Sequence, residues 1–299
     1  MKVFFRDEMV AETGSYSPSA GKPSAVADAM RFAQLPVTFV APEAATFEQM
    51  SRAHDPKYVQ DVLAGRITNG FGDKSESVRR SLPFTSGSLI AAAKQALKDG
   101  VACSLSSGFH HAGYDSGGGF CTFNGLMIAA YALQDSGLAH RIAIIDCDQH
   151  YGDGTDAIIA RVGGTNLLHV SFGRNHSGPK DAPRYLAQLR SLKGQFESHR
   201  TQMVIYQAGA DVHVNDPLGG VLTTEQMQER DRIMFSTCHD LGIPIAWNLA
   251  GGYQRDKNGG ISAVVHLHLN TARQSIEIYG GGFPSPGLRL VTNNSQIKE

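Results

Sequence analysis

Two adjacent histidines, His110 and His111, are the first residues in the chain whose type and position could do chemistry. They follow the apolar segment 101–105 and precede a run of three glycines that ends at Gly119, beside Phe120. This order predicts a strand end, a flexible loop and a helix start. In α/β proteins ligands bind at the carboxyl ends of the strands. Because each imidazole titrates near neutral pH, the pair could supply both a general base and a general acid.

A second cluster follows the apolar segment 141–147, where Asp146, Asp148 and His150 occupy alternate positions. If the extended conformation continues, these three side chains leave the same face of the strand. Carboxylate oxygen and imidazole nitrogen both bind zinc at about 2 Å, so Asp148 and His150 form half of a candidate metal site. Taken alone, an Asp-x-His pair is equally compatible with a helix cap or a salt bridge.

Two further strand ends contribute polar groups. The segment 202–208 leads into Asp211, a possible third ligand, and the segment 244–250 leads through two glycines to Tyr253. Three protein ligands leave one position open for water, as a catalytic zinc site requires. A phenol can donate a hydrogen bond to a developing oxyanion. Together, the four strand ends fit the attack of a metal-activated water on a carbonyl carbon.

The elements that position these residues alternate along the chain. Strands are predicted at 2–5, 37–41, 101–105, 141–147, 166–172, 202–208 and 244–250, and helices at 24–35, 56–63, 85–98, 123–133, 155–161, 183–199, 224–241 and 261–279. Fully apolar strands need helices on both faces, so the pattern predicts a three-layer α/β/α sandwich with a mostly parallel central sheet. We interpret 1–299 as a single domain, with a loop at 69–83 and a polar surface tail at 281–299.

Composition argues against several classes of protein. The chain has 27 basic and 28 acidic residues and a net charge of −1, so we expect no nucleic-acid partner. No apolar run approaches the ~20 residues of a membrane span, so we expect no membrane partner either. The four cysteines lack C-x-x-C spacing, which favours buried thiols in a reducing compartment. We therefore expect a cytoplasmic protein, and its oligomeric state stays open.

Four motifs resemble the zinc-dependent histone deacetylase family, which includes the acetylpolyamine amidohydrolases and has an arginase-like α/β fold. They are GFHHAGYDSGGGFCTFN, IAIIDCDQHYGDGT, GADVHVNDPLGG and LAGGY, in family order and at family spacing. A softer match, AHDPKYVQDVL, extends the resemblance over most of the chain. The triple glycine and the short length are more similar to the compact class IV and bacterial members than to the eukaryotic class I enzymes.

The resemblance implies the ligands of the metal and the acid–base pair of the reaction. Asp148, His150 and Asp211 would bind zinc. His110 and His111 would be the tandem general acid–base pair, and the resemblance leaves open which of them is the final acid.

The resemblance also implies roles for residues around that pair. Asp146 would accept a hydrogen bond from His110, and Asp153 would accept one from His111, which sets the tautomer and basicity of each imidazole. Tyr253 would polarise the amide carbonyl of the substrate together with the zinc.

A narrow substrate channel is the next feature that the resemblance implies. Gly119 and Phe120 would line one wall, and the nearest candidates for the second wall are Asn175 and His176. The loop before the histidine pair reads SLSSG where many relatives have arginine and proline, so the acyl-chain selectivity stays open. The family also commonly carries a structural potassium ion near the zinc, bound partly by main-chain carbonyls.

The implied activity is the hydrolytic removal of acetyl or other acyl groups from lysine-like amines. The substrate stays open between an acyl-lysine in a peptide or protein and an acetylated polyamine or other small amide. A cationic polyamine would favour carboxylates at the channel mouth, for which Asp115, Glu76 and Asp73 are available.

Two other functions are compatible with parts of the sequence. A binuclear, arginase-like ureohydrolase would use Asp146, Asp153 or Asp216 at a second metal, but it gives no role to Tyr253. A non-catalytic acyl-lysine binder would leave unexplained why every position that a catalyst needs is filled.

Overall fold

One parallel sheet forms the centre of the computed structural model, which describes residues 1–164 and 166–283. Within these residues the strands are β1 (Lys2–Phe4), β2 (Thr38–Val40), β3 (Val101–Ser104), β4 (Ile142–Asp146), β5 (Leu167–Ser171), β6 (Met203–Gln207) and β7 (Ile245–Asn248). They lie in the order β2-β1-β3-β7-β6-β4-β5, and every neighbouring pair is parallel. The predicted parallel sheet is therefore confirmed.

Helices cover both faces of this sheet. They are α1 (Lys22–Phe32), α2 (Phe47–Ser51), α3 (Pro56–Leu63), α4 (Glu76–Asp99), α5 (Gly125–Asp135), α6 (Asp153–Val162), α7 (Ala182–His199), α8 (Thr224–Asp240) and α9 (Ser262–Tyr279). Successive residues of a strand point to opposite faces. In β4, Ile144 packs with the apolar side chains of α4 and α5, and Ile145 packs with those of α7, α8 and α9. This arrangement is the predicted three-layer sandwich.

The four central strands place their carboxyl ends side by side. Their last residues are in register across the sheet, in the order Ser104, Asn248, Gln207 and Asp146. The loops that follow these strands carry the histidine pair, Tyr253 and the candidate ligands, so the topology brings them to one edge of the sheet.

The helix α4 begins nine residues before the predicted start at 85, and the loop prediction for 69–83 is wrong over its second half. The side chain of Ser75 accepts a hydrogen bond from the backbone N–H of Val78 and so caps the helix. Val78 and Leu82 are buried against the core. Burial of this apolar face outweighs Pro83, which lies inside the helix and lacks an N–H.

Smaller differences between the predicted and the observed bounds occur in other parts of the chain. The helix α1 begins at Lys22, two residues before the predicted start at 24. The short helix α2 was not expected from the sequence. Thr46 and Gln49 cap its N-terminus with reciprocal hydrogen bonds. Of the predicted tail 281–299, only the first three positions lie within the described residues.

Among the helices described, none has the length and apolar character required to cross a bilayer.

Replacing Leu189 by alanine tests the packing of α7 on the sheet. Leu189 is completely buried, so Leu189→Ala should lower the free energy of unfolding by about 2–5 kcal/mol, as measured by urea titration. The control Leu138→Ala removes a side chain that is half exposed and should change it by less than about 0.5 kcal/mol. Equal losses in the two variants would contradict this packing.

Candidate active site

Asp148, His150 and Asp211 converge at the edge of the sheet. Their ligand atoms all lie within 4.8 Å of one another. The Nδ1 atom of His150 is 3.2 Å from Asp148 Oδ1 and 3.2 Å from Asp211 Oδ2. Both carboxylates are buried, whereas the imidazole is partly exposed. One nitrogen and two oxygens therefore face a common point that can be reached from solvent.

Backbone N–H groups orient the two carboxylates. Asp148 Oδ2 accepts a hydrogen bond of 2.8 Å from Gly251, and Asp211 Oδ1 accepts one of 3.1 Å from Gln149. Each carboxylate thus has one oxygen bound by a neighbouring loop, and its other oxygen faces His150. The loops after β4, β6 and β7 hold each other in this arrangement.

The extended conformation, which would have to continue through His150 to put the three side chains on one face, ends at Asp146. Asp146 Oδ1 accepts a hydrogen bond from the N–H of Asp148, and Asp148 Oδ1 accepts one from the N–H of His150, at 3.2 and 3.0 Å. These local bonds turn the chain after the strand. Consequently, Asp146 faces His110, and Asp148 and His150 face Asp211.

The charges of this cluster fit a divalent cation. Burial and the neighbouring Asp148 carboxylate raise the pKa of Asp211 to about 7. Hydrogen bonds to Asp148 and Asp211 raise the pKa of His150 to about 11, so the imidazole carries a proton between the two carboxylates. Two carboxylates and one imidazole are ligands that zinc prefers, and a dication would balance the two negative charges. The residues present therefore fit a zinc ion.

The histidine pair lies beside this cluster, with ring centroids 4.1 Å apart. His110 is buried, and its Nδ1 is 2.7 Å from Asp146 Oδ2. His111 is partly exposed, and its Nδ1 is 2.6 Å from Asp153 Oδ1. Each carboxylate can accept the Nδ1 proton of its imidazole and so leave Nε2 available.

The pKa values of the two imidazoles are shifted in opposite directions. Burial alone would lower the pKa of His110, but the carboxylates of Asp146 and Asp148 raise it to about 9. Burial and the neighbouring His110 lower the pKa of His111, and Asp153 opposes this shift. At neutral pH one ring is therefore protonated and the other neutral, which supplies an acid and a base side by side.

His54 and Asn124 fasten the loop that carries this pair. His54 Nδ1 is 2.8 Å from the carbonyl oxygen of Gly113, and its Nε2 accepts the N–H of Asn124 at 2.8 Å. The amide of Asn124 donates to the carbonyl of Ala112 and to Thr155 Oγ1. No role for His54 or Asn124 was predicted from the sequence, although both lie within the motifs that carry the resemblance.

Tyr253 follows a turn that comes very close to the carboxylates. A Cβ built on Gly251 would lie 2.7 Å from Asp148 Oδ2 and would overlap the carboxylate of Asp211 as well, so only glycine fits there. Burial, and then the charges of Asp148 and Asp211, raise the pKa of Tyr253. The phenol stays protonated and can act as a hydrogen-bond donor.

Phe120 forms one aromatic wall next to Tyr253, with 5.7 Å between their ring centroids. Its backbone is left-handed, with φ +64°, as is that of the preceding Gly119. Tyr16 and Phe71 pack against the same ring at centroid distances of 5.4 and 5.8 Å. These two come from distant parts of the chain and were not among the residues predicted from the sequence to line the channel.

The predicted second wall is not found at His176. His176 is buried, its Nε2 is 2.8 Å from Gln188 Oε1, and its ring packs against Phe172 and Tyr185. Packing in this aromatic cluster turns the imidazole into the core. Asn175 is exposed at the end of a short 3-10 turn.

The acids considered for a second metal have other partners. Asp146 and Asp153 bind the histidine pair, and Asp216 accepts the backbone N–H groups of Tyr253 and Gln254. This arrangement disfavours the binuclear alternative.

The amino-acid sequence of this chain is similar to a family model and to proteins of other organisms. The family model of the histone deacetylase domain matches residues 19–182 and 174–269. An uncharacterised protein of Picosynechococcus is 32% identical over 247 residues, which cover 76% of this chain and 81% of that protein. A probable deacetylase of Methanothermobacter thermautotrophicus is 27% identical over 286 residues, covering 81% and 82%.

More distant similarities concern one relative and two solved structures. The acetylpolyamine amidohydrolase of Mycoplana ramosa is 37% identical over 112 residues, which cover 37% of this chain and 27% of that enzyme. The crystal structure of the HDA15 HD domain superposes with a TM-score of 0.72 at 19% identity and covers 93% of both chains. An acetylpolyamine aminohydrolase from Burkholderia pseudomallei superposes with a TM-score of 0.69 at 16% identity, covering 94% and 98%. Both structures have the fold described above.

Replacing Gly251 by alanine tests the close approach of the turn to the carboxylates. The added Cβ would overlap Asp211 and displace the two carboxylates, so we expect Gly251→Ala to weaken zinc binding at least tenfold by calorimetry. The control Gly194→Ala lies in α7 with open space around it and should bind zinc as the wild type does. Unchanged zinc affinity in Gly251→Ala would show that this approach is not needed.

Proposed function

Because the chain belongs to the histone deacetylase family, we propose that it is a zinc-dependent amidohydrolase that removes acetyl or other acyl groups from lysine-like amines. The observation that carries this proposal is the convergence of Asp148, His150 and Asp211 within 4.8 Å, beside the histidine pair. The proposed zinc ion would act as a Lewis acid for the amide carbonyl and for the attacking water. The potassium ion implied by the resemblance stays a prediction.

Proton transfer in the proposed reaction falls to the histidine pair. His111, neutral and fixed through Nδ1 by Asp153, takes a proton from the attacking water at Nε2. The hydroxyl joins the acyl carbon, the C–N bond breaks, and the amine nitrogen takes a proton from the pair. The remaining proton of the acid also passes to the amine, so the products are a carboxylate and an alkylammonium ion.

Tyr253 has a separate role in this proposal. Its protonated phenol donates a hydrogen bond to the carbonyl oxygen as negative charge develops there. Because its ring packs against Phe120, the Tyr253 side chain loses little conformational freedom when the substrate binds.

The aromatic wall supports a substrate with an aliphatic stem. The rings of Phe120, Tyr16 and Phe71 offer an apolar surface, and the methylenes of an amine-bearing chain pack well on such a surface. An acyl-lysine and an acetylated polyamine share this stem and a single amide at its end. Both substrate classes therefore belong to the proposal.

A substrate panel separates these classes. Zinc-loaded protein is incubated with acyl-lysine peptides of different acyl length and with acetylated polyamines, and Asp148→Ala serves as the blank. We expect hydrolysis of at least one class by the wild type and of none by Asp148→Ala. If the zinc-loaded protein hydrolyses no member of the panel, the proposed function is wrong. Two metals per chain would indicate the ureohydrolase instead.

Replacing Tyr253 by phenylalanine removes only the phenol hydroxyl. Loss of one oxyanion donor costs on the order of 10²–10³ in kcat, and bound zinc should remain at one per chain. Tyr279, at the end of α9, lines a cavity with Lys2 and Val101 at the amino ends of the strands, opposite the candidate site, so Tyr279→Phe should keep full activity. Full activity in Tyr253→Phe would contradict the assigned role.

The acid side of the pH profile tests His111 as the base. His111 is active when neutral, and its pKa is lowered from 6.5, so kcat/KM should fall only as the pH drops below about 6.5. Asp153 raises the pKa of His111, so Asp153→Asn should move this limb to lower pH and reduce kcat. A limb above pH 7, or a shift to higher pH in Asp153→Asn, would contradict this assignment.

A further inference from the structure

A turn at residues 250–254 lies in the connection between β7 and α9. Buried charged side chains hold both of its ends, and the proposed reaction assigns no role to these side chains. Asp216 is 6% exposed, and its Oδ2 accepts hydrogen bonds from the N–H groups of Tyr253 and Gln254 at 2.7 and 3.2 Å. Lys22 is completely buried, and its Nζ donates to the carbonyl oxygen of Ala250. The two side chains thus form hydrogen bonds with the first and the last residues of the turn.

Both oxygens of Asp216 are engaged by backbone donors. Oδ1 accepts the N–H of Leu218 at 3.0 Å, and Oδ2 serves Tyr253 and Gln254. A carboxylate that accepts several N–H groups fixes the relative position of the segments that donate them. Here it ties the loop after β6 to the turn after β7.

Lys22 supplies the opposite charge at the other end of the turn. Burial lowers the pKa of Lys22 to about 8, and the carboxylates of Asp211, Asp148 and Asp216 oppose that shift. Ala250, whose carbonyl Lys22 binds, has a φ of +54°, which is unfavourable for a residue with a Cβ. Such a backbone persists only where surrounding contacts hold it.

The residues between these two ends are the ones that the site uses. Gly251 donates its N–H to Asp148 Oδ2, and Tyr253 carries the phenol. A displacement of about 1 Å at a reacting group can cost about 10²-fold in rate. Small movements of the turn should therefore change the rate without changing the fold.

We infer that Asp216, with Lys22 at the opposite end of the turn, is a positioning residue that sets the phenol of Tyr253 over the candidate site. This inference rests on the proposed function, because it assigns Asp216 an effect on the rate through Tyr253. It differs from the binuclear hypothesis, in which Asp216 would bind a metal directly.

The variant Asp216→Asn keeps the shape of the side chain and removes one acceptor. Because an amide has a single oxygen, its NH₂ group must face either the N–H of Leu218 or those of Tyr253 and Gln254. We expect kcat to fall about 10- to 100-fold, with KM changed less than about twofold. Zinc content should stay at one per chain.

A double-variant comparison separates positioning from general stability. If Asp216 acts through the phenol, Asp216→Asn should cost less than about threefold when Tyr253 is already phenylalanine. A purely structural role would lower the activity of both backgrounds equally. The matched control is Asp55→Asn, since Asp55 accepts two successive N–H groups with one oxygen and an asparagine can retain both bonds.

Hydrogen exchange gives a readout that does not depend on activity. In metal-free protein, the amides of Tyr253 and Gln254 should exchange at least about tenfold faster in Asp216→Asn than in the wild type. If Asp216→Asn does not fold, the same activity and exchange measurements are made on Lys22→Met. This variant removes the hydrogen bond at the other end of the turn.

The outcomes distinguish the inference from the proposed function. A wild type without activity on any substrate would overturn the proposed function. The inference alone is overturned by an active wild type if Asp216→Asn keeps full kcat, loses activity equally in both backgrounds, or leaves exchange at Tyr253 and Gln254 unchanged.

Discussion

Two buried carboxylates facing a single imidazole are the constraint on which the rest of this structure depends. Asp148 and Asp211 lie on either side of His150 Nδ1, and burial of like charges is unfavourable unless each is compensated. The compensation comes from the N–H groups of Gly251 and Gln149 and from the imidazole proton. The protein thus keeps a negatively charged cluster in its interior that is suited to a dication.

This constraint explains why the cluster lies where the four central strands end. The carboxyl ends of β3, β7, β6 and β4 are adjacent and in register, so short loops can exchange N–H donors and carboxylate acceptors across them. Gln207, the last residue of β6, donates to Asp146 Oδ1 at 3.1 Å, and Asp146 in turn binds His110. The order of the strands therefore decides which loops meet at their carboxyl ends and helps to set the geometry of the acid–base pair.

The sequence predicted much of this arrangement because its signals are local. Alternation of apolar strands and amphipathic helices predicted the sandwich, and the family suggested by the motifs is confirmed by the match to its family model. The predicted ligands and the histidine pair lie together, although their roles stay proposals. The condition that the extended conformation continues through His150 is not met, because N–H groups two residues ahead donate to the carboxylates and turn the chain.

What the sequence did not reveal depends on contacts between distant residues. Tyr16 and Phe71 reach Phe120 from other segments, and Lys22 binds a carbonyl 228 positions away. The resemblance made His176 a candidate for the second channel wall, but an aromatic cluster holds its ring in the core. Such contacts follow from packing and not from spacing.

Calorimetric zinc titration of the metal-free protein, repeated in two buffers of different ionisation enthalpy, tests the central claim most directly. If zinc takes the place of the proton on His150, one zinc should bind per chain with release of about one proton or more at pH 7. His150→Ala should weaken that binding strongly. Zinc binding without proton release, or binding unchanged in His150→Ala, would contradict the account.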